Sequence, residues 1–192
     1  MTRIAIVVGQ PKHKSFCEAL AEAYRRGAEA SGHEVRLFVL ANMSFDPILH
    51  EGFDRPQKLE PDLAEAQAAI IWAEHLVLIF PLWFGSMPAL LNGFFERVYE
   101  PGVMAEKRAV GGGFRPLMKG RSARIIITMN MPSLVYRYYF GAHALKLIKR
   151  NILGFVGFGP IRSRLYGMVE GVNDARRRGW LAEVEAMGHG AG

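Results

Sequence analysis

The chain of 192 residues holds a single cysteine, Cys17. A lone thiol has no partner within the chain, so a fold held by internal disulfides is excluded. With nothing resembling a signal peptide beside it, the chain is expected in a reducing, cytoplasmic compartment. Metal-binding patterns are missing too: there is no H-E-x-x-H and no cysteine pair, and the six histidines are scattered without ligand spacing. No G-x-S-x-G follows a strand-like run, which leaves a serine hydrolase unsupported. The G-x-G-x-x-G of dinucleotide sites is absent, and "GQPKHKS" lacks the second glycine of G-x-x-x-x-G-K-[ST]. From Leu76 to Phe95 charge is missing altogether. A run of that length suits a membrane span by hydropathy, but Pro81, Gly85, Pro88, Asn92 and Gly93 break it into a strand, a loop and the start of a helix. With no internal repeat and no low-complexity stretch, residues 1–192 read as one domain.

What is present is an alternation of strands and helices. "RIAIVVG" and "EVRLFVL" read as strands, and "HLVLIFP" as a central strand covered on both faces. "SARIIITMN" and "IRSRLYGMV" complete five. Between them lie helical segments: one capped by Ser15, one behind Pro61 with Asp62 as its cap, and one capped by Ser86 with Pro88 in its first turn. "ALKLIKRNILGF" and "NDARRRGWLAEVEAM" supply the last two, and "AVGGGFRPLMKGRSAR" reads as a glycine-rich excursion. Parallel neighbours need helical crossovers, so the pattern predicts an α/β fold with a parallel sheet and helices on both sides.

In such a sheet the loops after the carboxyl ends of the strands surround a crevice. The first, "GQPKHKSF", brings Lys12, His13, Lys14 and Ser15 to a helix start, where free N–H groups and ammonium groups suit one phosphate. The second, "PLWFGSM", sets Trp83 and Phe84 just beyond the central strand, as a ledge for a planar ring or as a cover for the core. The third carries Thr128, Asn130, Tyr136 and His143. If the interval between Tyr136 and His143 is helical, they lie about two turns apart on similar faces. A phosphate site beside an aromatic ledge matches a phosphorylated flat cofactor such as flavin mononucleotide.

The segment "FPLWFGSMPALLNGFFERV" closely resembles the corresponding part of the NAD(P)H:quinone oxidoreductase family, which takes in DT-diaphorase and the bacterial potassium-efflux ancillary flavoproteins. The likeness runs along nearly the whole chain, through "KSF", "EPDLAEAQAAIIWAEHLV" and "GFVGFGPIRSRLYG". It implies a flavodoxin-like three-layer sandwich, with five parallel strands in the order 2-1-3-4-5. It also implies a bound flavin, FMN or FAD, and NAD(P)H as donor. The implied reaction is two-electron reduction of a quinone or similar small aromatic acceptor by a ping-pong hydride relay. By the same likeness His13, Ser15 and Phe16 hold the flavin phosphate, and Pro81, Leu82, Trp83 and Phe84 contact the isoalloxazine. Thr128, Met129, Asn130 and Met131 line its pyrimidine side, and an adenine half would draw on the last helix through Arg176. Tyr136 and His143 fall where the family has a Tyr and a His that assist hydride transfer.

The excess of 24 Lys and Arg over 18 Asp and Glu, formally +6, favours anionic ligands: phosphates, nucleic acid or lipid head groups. No nucleic-acid motif accompanies Lys146, Lys149, Arg150 or "ARRRG", so no nucleic-acid partner is expected. The apolar residues Leu90, Leu91, Phe94, Phe95 and Val98 outnumber what one sheet face needs. With the family's habit of pairing there, they predict a homodimer. The alternative reading is a flavin-binding, redox-sensing ancillary subunit of a membrane transporter, associated peripherally with the membrane.

Overall fold

The computed structural model describes residues 1–100, 102–109 and 111–191. Among the described residues seven strands form in chain order: β1 (Arg3–Val8), β2 (Glu34–Val39), β3 (His75–Pro81), β4 (Ala105–Lys107), β5 (Phe114–Pro116), β6 (Ser122–Thr128) and β7 (Ile161–Tyr166). Five of them make one parallel sheet in the order β2-β1-β3-β6-β7, which is 2-1-3-4-5 when only its own members are counted. All seven residues of β3 are buried, as its uninterrupted apolar run predicts, while the edge strands β2 and β7 alternate in exposure. The remaining two, β4 and β5, pair as a small antiparallel hairpin inside what the sequence presents only as a glycine-rich excursion.

The helices are α1 (Phe16–Ala30), α2 (Pro61–Trp72), α3 (Ala89–Val98), α4 (His143–Leu147), α5 (Gly154–Val156) and α6 (Asp174–His189), with π-helical stretches at Val135–Tyr139 and Ile148–Leu153. On one face of the sheet Ile4, Ile6, Val8, Val77, Ile79 and Ile126 pack with α1 and α6. On the other, Val7, Leu78, Phe80, Ile125 and Ile127 pack with α2, α3 and the segment 143–156. Helices α1 and α6 approach so closely that a Cβ on Gly27 would stand 1.9 Å from the Glu185 carbonyl oxygen, so this contact admits only glycine.

Two caps differ from expectation. Pro61 takes the first helical position of α2 and holds Glu60 extended as the N-cap; Asp62, one residue inside, accepts the Ser44 N–H at 2.6 Å. Ser86 does not cap α3. Its backbone pairs with Trp83 in a tight turn, and the helix starts only after Pro88. The long loop ahead of α2 is pinned by Arg97, fully buried on α3, whose guanidinium donates to the Asp46 and Lys58 carbonyls and to the Glu60 carboxylate at 2.9 Å. The apolar excess expected on α3 is spent inside the chain: Leu91, Phe94, Phe95 and Val98 are all buried.

Candidate cofactor site

The strands bring their carboxyl ends level, Val8 opposite Ile79 and Pro81 opposite Thr128. The loops that follow β1, β3, β6 and β7 close around a cavity of about 430 Å³. That size suits one small cofactor. From the first loop come Gln10, Lys12, Lys14, Ser15 and Phe16; from the second Pro81, Leu82 and Trp83; from the third Thr128, Met129 and Asn130. The crevice expected from sequence is therefore assembled, with most of its expected residues.

Local chemistry explains each wall. Ser15 caps α1 in a reciprocal box: its hydroxyl accepts from the Glu18 N–H at 3.2 Å, and the Glu18 carboxylate accepts from the Ser15 N–H at 2.8 Å. The N–H groups of Phe16 and Cys17, at the first two helical positions, meet no carbonyl within the helix and stay open to an anion. Lys14 reaches this point through a left-handed backbone, φ 52°. On the second loop Trp83 and Ser86 exchange both backbone hydrogen bonds, at 2.9 and 2.8 Å, across Phe84 and Gly85, both left-handed. A two-residue turn with two positive φ values has the form of a type I′ turn, for which Phe84 is a strained choice and Gly85 an easy one. On the third loop Thr128 accepts the Leu82 N–H at 2.8 Å through its carbonyl, and its hydroxyl meets the Cys17 thiol at 3.3 Å. Burial pushes that thiol up to about 12, so Cys17 is a small neutral wall residue.

Several expected residues lie away from the cavity wall. The His13 ring bonds Asn42 at 2.9 Å, Phe84 stands fully in solvent, and Met131 is half-buried behind the rim. Tyr136 is buried. Its hydroxyl oxygen accepts the Leu145 N–H at 3.2 Å, and burial raises its pKa above the ordinary phenol value. His143 is exposed at the start of α4, its ring folded over Gly141. The interval between the two is not one helix, because Gly141 and Ala142 are both left-handed and separate the π-helical turn from α4. Arg176 lies over the Trp180 ring in a different hollow, and its neighbour Arg177 lines the cavity instead. Adjacent residues on a helix point about 100° apart, a distinction that "ARRRG" does not display.

Sequence reasoning also missed Gln10, Val169 and Glu170. The Gln10 side-chain oxygen is buried and has no hydrogen-bond partner among the described residues, so the cavity is short of a donor. The loop after β7 is tied down by Arg177, which donates to the Val169 and Glu170 carbonyls, and by Asn130, whose side-chain oxygen accepts the Glu170 N–H at 3.3 Å. A second cavity of about 480 Å³, lined by Phe53, Phe95, Tyr99, Phe114 and Phe155, is larger and mostly apolar, and the polar groups on its wall, Asn92, Glu96, Glu100 and Asn151, include no cation for a phosphate.

Residues 2–187 match the family described as having a flavodoxin-like fold. The chain belongs to that family. It is 29% identical to NAD(P)H dehydrogenase [quinone] 1 of Cavia porcellus, over 96% of this chain and 77% of that protein. Among solved structures, an NAD(P)H:quinone oxidoreductase from Methanothermobacter marburgensis superposes with a TM-score of 0.79 at 23% identity, covering 98% of this chain and 96% of the other. An FMN-dependent NADH-azoreductase from Bacillus anthracis, solved with FMN, superposes with a TM-score of 0.74 at 15% identity and 98% coverage of both chains. The resemblance to NAD(P)H:quinone oxidoreductases read from the sequence is borne out by these relatives.

Proposed function

We propose that the chain is a flavin-dependent NAD(P)H oxidoreductase that reduces quinones or similar small aromatic acceptors by two electrons. The observation that carries the reading is the convergence of a basic helix start, an aromatic ledge and an unpartnered buried acceptor on one cavity. The residues fit the cofactor. Lys12, Lys14 and the N–H groups of Phe16 and Cys17 would hold its phosphate, Gln10 would accept from a hydroxyl of its chain, and Pro81 and Trp83 would contact its ring. The amide of Asn130 still has its N–H groups to donate to the ring's carbonyl edge. When bound, a flavin supplies the redox chemistry; the protein binds, orients and excludes water. NAD(P)H and acceptor occupy the open mouth in turn, as in a ping-pong relay. In this reading Tyr136 is a hydrogen-bond donor to developing negative charge and His143 a proton partner, roles that the family resemblance suggests and that neither residue's place off the cavity wall supports. The chain acts as a homodimer, a reading now supported by the exposed rings of Phe53, Phe114 and Phe155 around the apolar cavity rather than by α3.

Titration of the purified chain with FMN and with FAD, followed by NAD(P)H oxidation with a soluble quinone and by light scattering, tests the reading. Flavin binding, turnover and a dimer mass are expected, and His143→Gln lowers turnover with flavin retained. A chain that binds neither flavin ends the proposal. Equal turnover in the His143 variant removes that residue's role alone.

A further inference from the structure

Between Lys107 and Val169 the chain carries twelve of its 24 basic residues and no carboxylate. Part of that excess is neutralised from outside the stretch, Arg115 by Glu106 and Arg164 by Glu183. Arg137, Lys146, Lys149 and Arg150 have no ion pair among the described residues. They lie on two segments held together by the Tyr136–Leu145 and Tyr136–Ala142 hydrogen bonds. Burial, and after it the Arg137 guanidinium, hold the Lys149 ammonium below its ordinary value. The same segments expose Leu134, Val135, Tyr138, Tyr139, Phe140 and Leu147, with Tyr138 76% and Tyr139 82% accessible. Large rings left in water next to unpaired cations ask for a partner that is apolar and anionic together.

A second copy meeting this face through a two-fold axis sets four cations against four, a repulsive contact. Nucleic acid answers the charge and stacks on tyrosines, but it offers nothing to Leu134, Val135 and Leu147. An anionic bilayer surface answers all three. Lys and Arg reach phosphate head groups, Tyr rings sit at the head-group level, and aliphatic side chains enter the acyl boundary. We propose that the face from Leu134 to Arg150 docks on membranes containing anionic phospholipid. It lies on the surface, since no helix among the described residues is long and apolar enough to cross a membrane. The segment continues from Asn130 on the cavity wall, so docking brings the cavity mouth toward acceptors dissolved in lipid. That consequence rests on the proposed function, whereas the docking itself does not.

Flotation of the full chain with vesicles of phosphatidylcholine alone, and with vesicles of phosphatidylcholine and phosphatidylglycerol in equal parts, tests the surface directly. Capture is expected by the mixed vesicles only, weakening as salt is raised. Lys146→Glu with Arg150→Glu lowers capture by about tenfold or more, and Lys146→Arg retains it. Tyr138→Ser with Tyr139→Ser lowers capture at unchanged charge. All variants keep the circular-dichroism spectrum and flavin affinity of the parent, because none of these residues lines the cavity. No capture, equal capture by both vesicle types, or capture that neither double substitution alters overturns the proposal. A loss of dimer mass in the tyrosine variant overturns it in favour of a second copy. Salt-sensitive retention on DNA that the lysine and arginine substitutions abolish overturns it in favour of nucleic acid.

Discussion

The two ends of the sheet are built on opposite principles. At the carboxyl ends of the strands the backbone is forced: among the described residues the non-glycine residues with positive φ are Lys14, Phe84 and Met168, in the loops that directly follow β1, β3 and β7, and Ala142, farther along the segment after β6. Polar groups there are open, among them the Gln10 oxygen and the helix N–H groups of Phe16 and Cys17. At the amino ends the side chains close on one another. The Tyr24 hydroxyl meets His75 Nε2 at 3.1 Å, and His75 Nδ1 meets the Ser122 hydroxyl at 2.7 Å, all beneath α1. Strain gathers at the end that carries the cavity, while the other end is closed by the Tyr24–His75–Ser122 chain and leaves Arg124 Nε as its one unpartnered buried polar side-chain atom among the described residues.

Charge reversal at the open end breaks the comparison most strongly. Lys12→Glu with Lys14→Glu removes two charge-assisted bonds to a phosphate, and flavin affinity falls by about a thousandfold, roughly 4 kcal/mol. The apo protein unfolds within about 0.5 kcal/mol of the parent, since neither lysine belongs to the core. Paired FMN titrations and denaturant melts check both halves. Undiminished affinity, or a melt that falls as far as the affinity, contradicts the division of labour between the ends.

The closed end is probed by pH. Burial, with the Arg124 and Arg162 guanidiniums nearby, holds His75 neutral, its pKa lowered to about 4 from the ordinary 6.5. Between those values the unfolded chain takes up a proton that the folded chain refuses, so stability is complete above 6.5 and declines as pH falls toward 4. The loss amounts to about 3 kcal/mol at most. Urea melts from pH 7 to pH 4 show this slope in the parent, and His75→Gln flattens it. A parent and variant with parallel pH profiles place the acid sensitivity elsewhere. FMN affinity of the variant at pH 7 stays at the parent value, which keeps the effect on its own end of the sheet.

How far the sequence discloses these ends follows the same physics. The sheet was legible because β3 is apolar from Leu76 onward and β6 carries three consecutive isoleucines, and because α1, α2, α3 and α6 begin or end on Ser, Pro or Gly signals. The cavity was legible as far as it depends on which loops follow which strands, and Lys14, Trp83 and Thr128 arrive there as expected. What escaped depends on side-chain direction. Arg177 rather than Arg176 enters the cavity, and Gln10 becomes an orphan only once β1 and β3 are paired around it. The break at Gly141 and Ala142 removed a helix that spacing alone allowed, and with it the common face for Tyr136 and His143. The β4–β5 hairpin escaped because three-residue strands carry too few positions to show a period.

The smallest effect separates strain from contact at a single residue. Phe84 occupies the first central position of the type I′ turn at φ 49°, a setting that favours Asn or Gly and costs a phenylalanine about 1–2 kcal/mol. Its ring is fully exposed, so removing it takes nothing from the core. Phe84→Asn creates Asn-Gly, the preferred pair for this turn, and raises unfolding stability by about 1 kcal/mol, or about 2–4 °C in melting temperature. If the strained turn exists to aim the ring at a bound cofactor, the same substitution weakens FMN binding by up to about tenfold, the scale of one aromatic contact. A stabilised variant with full affinity shows that Phe84 takes no part in binding, and an unstabilised one shows that the turn was never strained.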